Sequence, residues 1–408
     1  MLQYVVGTIT FVSLWVTLVL LNYVADGPRT ERAKRFPLVS IVIPAYDEQD
    51  SILKTVQSLL DADYPKKEII VVSDGSTDNT VRVVRKFMKQ HPGIQLIDKK
   101  NGGKASAVNA GLAVARGELF AVMDADSRID PQAIRALIPH FSNPQAGAVI
   151  TRIRVDKPIL FLERMQRFEY IMSSLTRFMM RNFGTLAITH GVMTMFRTKT
   201  LRELGGFVKD RNNITEDFEI ALRLRRHGFL VEMEPKAIGY TRVPRTVHSV
   251  WRQRLRWSRG YLYNMMNYRD LFFAKGQGVF GAFQLPMNVI GVLLLVLNVG
   301  LISFDVMHRS FDFLRRSLSL PDYFWNTILD FPSLKEFILA RNIQVTIPVL
   351  LSLVLGIYLV VVAHRLFNER IGKQIFPALV YVMVVPYFTA ANWISSIAHE
   401  VVRTKRKW

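Results

Sequence analysis

No cysteine occurs anywhere in the 408 residues. Disulfides, thiolate metal sites and a cysteine nucleophile are thereby excluded. Acid is scarce as well: 33 Asp and Glu stand against 53 Lys and Arg, a formal net charge of +20. The glycine-lysine stretch at 102–104 lacks the G-x-x-x-x-G-K-[ST] spacing, so it is not a Walker phosphate loop. No nucleic-acid module is readable either, and the basic residues flank apolar stretches, so nucleic acid is not an expected partner. Three apolar stretches, 280–304, 345–363 and 376–394, contain no Asp, Glu, Lys, Arg or His. That absence speaks against a channel or transporter with a nucleotide-binding regulatory domain, whose ion path needs ionisable groups at membrane depth.

What is present is a high apolar content, 50% of the chain, beside that basic surplus. A membrane protein with basic cytoplasmic surfaces combines the two naturally, because Lys and Arg are retained on the inner face. Residues 4–24 are almost purely apolar and are followed by Arg29, Arg32, Lys34 and Arg35. Charges behind the apolar run, not before it, fit a retained transmembrane helix better than a cleaved signal. Four crossings that start outside would leave the basic tail at 403–407 outside, against the positive-inside rule. A last segment that dips and returns, helped by Pro377 and Pro386, is the alternative to an exceptional tail.

Between the first and later apolar stretches the pattern is α/β. Short buried-strand runs at 38–44, 68–73, 95–98 and 119–123 alternate with helical stretches, which predicts parallel pairing with right-handed crossovers. Ligand sites in such sheets lie beyond the carboxyl ends of the strands. Two amphipathic helices follow. In 158–183 one apolar stripe runs through Phe161, Met165, Phe168, Met172, Leu175 and Met179, with arginines elsewhere, which reads as a helix in the membrane interface over a core-facing one. The second, 246–268, mixes Trp251, Trp257, Tyr261 and Tyr263 with arginines, an interfacial composition.

Acidic groups cluster at the strand ends. Tyr46-Asp47-Glu48 leaves the first strand and Asp74-Gly75-Ser76-Thr77-Asp78 the second, where hydroxyls and carboxylate suit a base or ribose and Asp78 suits a helix N-cap. Asp124-Ala125-Asp126 leaves the fourth. Two carboxylates one residue apart in extended chain point to opposite sides, so one can face Mg²⁺ or Mn²⁺ while the other braces the loop or bonds a ribose. Gly102-Gly103-Lys104 fits either a phosphate contact or a plain turn and helix start. In Thr215-Glu216-Asp217, Thr215 is a helix N-cap candidate; Asp217 is either a first-turn acid or a general base for an acceptor hydroxyl. On a helix, Gln253, Arg256 and Trp257 share a face, where an arginine can hold a diphosphate and an indole a sugar ring, or both can anchor the helix at lipid.

The ordered set P-A-Y-D-E, D-G-S, G-G-K, D-A-D, T-E-D and Q-R-L-R-W, followed by membrane helices, resembles the processive family 2 glycosyltransferases, the synthases of cellulose, chitin, hyaluronan and poly-N-acetylglucosamine. Segments 165–170 and 188–193 resemble the poly-β-1,6-N-acetylglucosamine synthases, with His190 standing where serine is usual. The resemblance implies a GT-A fold over 36–242, including an interface helix at 158–183. It further implies a second interface helix over 243–275, an N-terminal membrane helix over 1–27 and a membrane region over 276–408. By it, Tyr46 and Asp74 hold uracil, Lys104 and Asp124 the nucleotide, and Asp126 a Mg²⁺ or Mn²⁺ ion. Asp217 becomes the base, Gln253 and Arg256 close on the diphosphate, and Trp257, Glu216, His190 and Gly191 face the acceptor. The implied enzyme inverts the anomeric centre, takes a UDP-sugar (UDP-N-acetylglucosamine as first choice) and extends a β-linked polysaccharide at the plasma membrane. Its catalytic domain is cytoplasmic and its product is exported, with accessory export or modification proteins as partners. The rival expectation is a single-transfer enzyme acting on a lipid such as ceramide or a polyprenyl phosphate.

Overall fold

The computed structural model describes residues 35–329 and 343–406; the expected first membrane helix lies outside them. Four apolar runs become parallel strands where the sequence places them: β1 Val39–Ala45, β2 Lys67–Asp74, β3 Ile94–Lys99 and β4 Leu119–Val122. Val42 is paired with Ile70 on one side and Val122 on the other. Helices α1 Ile52–Leu60, α2 Thr80–Met88 and α3 Lys104–Val114 make the crossovers. Both sheet faces are covered, which is why these strands read as near-continuous apolar runs. On one face Val39, Ile41 and Ile43 pack with Ile52, Val56 and Leu59 of α1; on the other Val42, Ile70 and Val72 pack with Ala107, Val108 and Leu112 of α3.

The sheet does not stop at four strands, and it is not all parallel. β5 Arg128–Ile129, β6 Ala146–Val155, β7 Thr194–Arg197 and β8 Leu230–Thr241 extend it to eight, in the order β3-β2-β1-β4-β7-β6-β8-β5. β7 runs antiparallel to both β4 and β6, while β6 and β8 are parallel. The reversal at β4/β7 puts the turn before β7 beside the end of β4, where Asp124 N–H donates to the Gly191 carbonyl at 2.6 Å.

Helix α4, Phe161–Asn182, connects β6 to β7. Four residues of its apolar stripe, Met165, Phe168, Leu175 and Met179, are buried against β6 and the C-terminal helices, while Phe161 at its start is exposed. Helix α5, Glu216–Arg226, begins at Thr215, and α6, Val247–Asn267, is capped by Thr246, whose hydroxyl accepts from Ser249 N at 3.2 Å. Beyond α6 a single π-helical turn, Phe280–Gln284, leads into α7, Leu285–Ser319, which runs well past the expected end at residue 304. Helices α8, Ile343–Leu366, and α9, Ile375–Val401, complete the described chain. By length and composition 280–319 and 375–401 are long and apolar enough to cross a membrane, and Leu350–Leu366 is a shorter apolar helix. Helix α9 is continuous through Pro386, so it does not dip and return by breaking at its prolines.

Candidate active site

The loops after β1 and β2 are laced together by their own backbone. Asp47 sits in left-handed conformation at φ 53° and its Oδ1 accepts from Thr77 N at 2.6 Å and Asp78 N at 3.2 Å. In return Asp78 accepts from Gln49 N at 3.0 Å and from Thr80 N at 2.8 Å. The N-cap of α2 is Asn79, so Asp78 ties two loops instead of occupying the cap position. Tyr46 stands at this rim with half its surface exposed. Asp74 is buried, and its carboxylate is occupied: Lys99 Nζ lies 2.5 Å away, Gly103 N donates at 2.7 Å and Gly102 N at 3.1 Å. Asp74 therefore shapes the Gly102-Gly103 turn, with Gly103 at φ 86°, that opens α3 and aims Lys104.

Lys104 is the hub. Its ammonium lies 2.7 Å from Asp124 Oδ1 and 3.0 Å from Glu216 Oε1, joining G-G-K, D-A-D and T-E-D at one charge. Those two carboxylates, with Asp217 behind them, push its pKa above the ordinary lysine value despite burial. Gly191 permits this arrangement: a Cβ there would come within 1.9 Å of Asp124 Oδ2. Glu216 is buried and its second oxygen has no hydrogen-bond partner. Asp217, next along, has its carboxyl pushed up to about 6, first by burial and then by Glu216, against the pull of Lys104 and Arg256. Asp126 is likewise raised to about 6 by burial, then by Asp124 and Glu48. A cleft of about 540 Å³ opens beside Asp126, bounded by α1 and by Arg128, Lys157 and Arg242.

Helix α6 is seated directly on the T-E-D segment. A Cβ at Gly260 would lie 2.3 Å from Thr215 Oγ1, and Asn264 Nδ2 donates to Thr215 Oγ1 and to Asn213 Oδ1, both at 3.1 Å. Thr215 holds the N-cap position, but its hydroxyl takes its hydrogen bond from Asn264 and caps nothing. Gly260 and Asn264 escaped the sequence reading. A small residue four before an amide on one helix face is visible there, but the loop it receives is not. One turn earlier, Arg256 Nη1 donates to the Ile214 carbonyl at 3.4 Å. The Arg254 guanidinium lies 4.2 Å over the partly exposed Trp257 ring while donating to Glu169 at 2.9 Å and Gln253 at 3.2 Å. Gln253 and Trp257 thus meet through Arg254, whereas Arg256 turns to the T-E-D segment.

Glu48, Asp124, Asp126, Lys104, Glu216, Asp217 and Arg256 fall within one electrostatic neighbourhood, with Tyr46 and Asp74 on the adjoining loops. His190 is placed apart in character. It lies in the turn before β7, buried, with Nε2 donating to the Thr151 carbonyl at 2.9 Å. Burial first, and the Arg177 charge second, push its pKa down to about 3, so the ring is neutral.

Residues 40–205 match the family described as Glycosyl transferase family 2. The chain is 34% identical over 227 residues to the poly-β-1,6-N-acetyl-D-glucosamine synthase of Staphylococcus epidermidis. To that of Staphylococcus aureus (strain MSSA476) it is 32% identical over 226 residues. Each alignment covers 54% of this chain and 54% of the relative, so the match spans about half the length of these curated relatives. Among solved structures, the mannosyltransferase PcManGT from Pyrobaculum calidifontis, in complex with GDP-Man and Mn²⁺, is similar in fold, with a TM-score of 0.58. Identity there is 20%, over 90% of this chain and 100% of that one. A GT-A-like α/β sheet with its strand-end carboxylates gathered on one lysine agrees with that match: residues 40–205 are a domain of the Glycosyl transferase family 2 type.

Proposed function

We propose that the chain transfers N-acetylglucosamine from UDP-N-acetylglucosamine, with inversion, to the end of a growing β-linked polysaccharide, working at the inner edge of a bilayer. The similarity to the poly-β-1,6-N-acetyl-D-glucosamine synthases supports donor and product. One observation carries the chemistry: a carboxyl held near pKa 6 at Asp217, between the Lys104 and Arg256 cations. A carboxylate tuned upward and still ionised at neutral pH is what a general base for a sugar hydroxyl requires.

In this reading Asp217 Oδ1 stays anchored on Phe218 N at 2.8 Å, and the other oxygen receives the acceptor proton. Lys104 and Arg256 face the charge that builds on the departing diphosphate. A single displacement needs one base and no covalent intermediate. Trp257 offers the ring face not covered by Arg254 to the acceptor end, and Tyr46 closes over the base of the nucleotide. Glu216, through its unpartnered oxygen, and His190 and Gly191, through the turn that backs Asp124, shape the acceptor side. The carboxylates also fit a divalent cation. Asp126 is crowded by Asp124 and Glu48, a repulsion that Mg²⁺ or Mn²⁺ would relieve. Among the described residues no three ligating side chains gather, so such an ion would share its shell with the diphosphate, the usual Mg²⁺ arrangement. When bound it would neutralise charge on the leaving UDP.

The bilayer enters through α7 and α8, with 36–242 as catalytic domain, 243–275 as the helix that closes it and 276–408 as the membrane region, in a plasma-membrane protein that exports its product. Membranes carrying the chain, incubated with labelled UDP-N-acetylglucosamine and Mn²⁺, should yield high-molecular-weight product on a gel. A single chloroform-soluble glycolipid would overturn the polymer reading, and turnover confined to another UDP-sugar would overturn the donor.

A further inference from the structure

Helix α4 buries one cation that the proposed reaction leaves without a task. Gln166, Tyr170, Ser173 and Arg177 recur in steps of four, three and four, so they share a polar face beside the apolar stripe. That face lies against the site. Glu169 accepts from Arg254 of α6 at 2.9 Å, and Gln166 donates to the Pro244 carbonyl at 2.8 Å. Tyr170 packs in one cluster with Val192, next to Gly191 in the turn before β7. Arg177 ends the face and is unpaired: its Nε and Nη1 are buried and have no hydrogen-bond partner among the described residues. Burial lowers its pKa below the ordinary arginine value, against the pull of Tyr170, Glu169 and Asp217.

An unpaired guanidinium inside a fold is costly, because nothing replaces the hydration it gave up. A molecule that enters and accepts its hydrogen bonds removes that cost. As a residue Arg177 keeps some accessible surface, so rotation about its long side chain can bring those N–H groups to an entering molecule. His190 is its counterpart. Its Nε2 donates to the Thr151 carbonyl, which leaves Nδ1 a bare acceptor, buried and without a donor. After burial, the Arg177 charge is the strongest influence on that ring. The turn is fixed to the base as well, since Thr189 Oγ1 donates to the Asp217 carbonyl at 2.5 Å. Two unpaired donors and one unpaired acceptor thus stand on the α4 side of Asp217, whereas the loops assigned to the nucleotide follow β1 and β2.

We propose that Arg177 and His190 read the acetamido group of the acceptor's last sugar: the guanidinium donates to its carbonyl, and Nδ1 accepts from its N–H. An acetamide carries a strong acceptor and a donor on separate atoms, matching separate protein groups, whereas a hydroxyl must serve both from one oxygen. A free amine in its ammonium form offers no acceptor and meets the guanidinium as a like charge. The site therefore extends chains that end in N-acetylglucosamine and refuses chains that end in glucosamine. This deepens the proposed function and rests on it.

Membranes carrying the full chain, given UDP-N-acetylglucosamine, Mn²⁺ and β-linked oligosaccharides ending in either sugar, should extend the acetylated end and leave the amine end. Arg177→Met should raise KM for the acetylated acceptor about 10–100-fold, the scale of a lost charged hydrogen bond, with a smaller effect on KM for the donor. It should also lose the preference between the two ends. Arg177→Lys keeps the charge without the fork, so it should bind the acetylated end poorly and still refuse the amine. Thermal unfolding separates substrate contact from a structural role: removing an unpaired buried charge should leave the melting temperature level or raise it. A lowered melting temperature, or a wild-type enzyme that extends both ends alike, overturns the proposal while the polymer reading stands. A changed donor preference with the acceptor preference intact overturns it too. No product from UDP-N-acetylglucosamine with either end sinks the donor reading, and this one with it.

Discussion

The Asp217 carboxyl sets a pH dependence that can be worked out in advance. A base must be ionised to accept a proton. With its pKa near 6, Asp217 is about nine-tenths ionised at pH 7 and about one-tenth ionised at pH 5, so kcat/KM should fall about tenfold between them. Asp126 titrates in the same range, and protons compete with metal for its carboxyl. Saturating Mn²⁺ should therefore carry the Asp126 contribution to lower pH, leaving the limb that belongs to Asp217. Removing the Lys104 cation by Lys104→Gln takes away a charge that lowers the Asp217 pKa, so the limb must move to higher pH, with activity partly regained by alkaline buffer. Asp217→Asn should cost roughly 10²–10⁴-fold in turnover and abolish the limb, while UDP affinity stays nearly unchanged. Initial rates with labelled donor across pH 5–9, with UDP binding followed by calorimetry, make the comparison. A flat profile at saturating Mn²⁺, or an Asp217→Asn enzyme that keeps both rate and limb, removes Asp217 as the base.

Asp126→Ala should weaken donor binding only when metal is present; an unchanged metal titration would remove it as a ligand. Trp257→Ala should slow elongation more than hydrolysis of the donor, and equal loss of both would refute a stacking platform. Gly260→Ala pushes a methyl group into Thr215, so it should cost about 1–3 kcal/mol in a thermal-unfolding assay and reduce turnover beyond that loss. Wild-type stability and rate would show that α6 does not ride on the T-E-D segment.

The first half of the sheet was legible because β1, β2 and β4 are buried on both faces and so read as unbroken apolar runs. The second half was not. β6 carries Arg152 and Arg154, which serve Glu369 more than 200 positions away, and β7 has only four residues. The acidic clusters were read correctly as strand-end groups, since position after an apolar strand is local information. That Asp74 is spent on Lys99 and two amides, and that α4 turns four residues of its stripe to the core, depends on partners no spacing reveals.

The seat of Gly260 on Thr215 has a mechanical result. Gly260 comes three residues after Trp257, and Thr215 two before Asp217, so indole and carboxylate are mounted on opposite sides of one rigid joint. Under the proposed function, such a joint sets one spacing between the Trp257 indole and the Asp217 carboxylate.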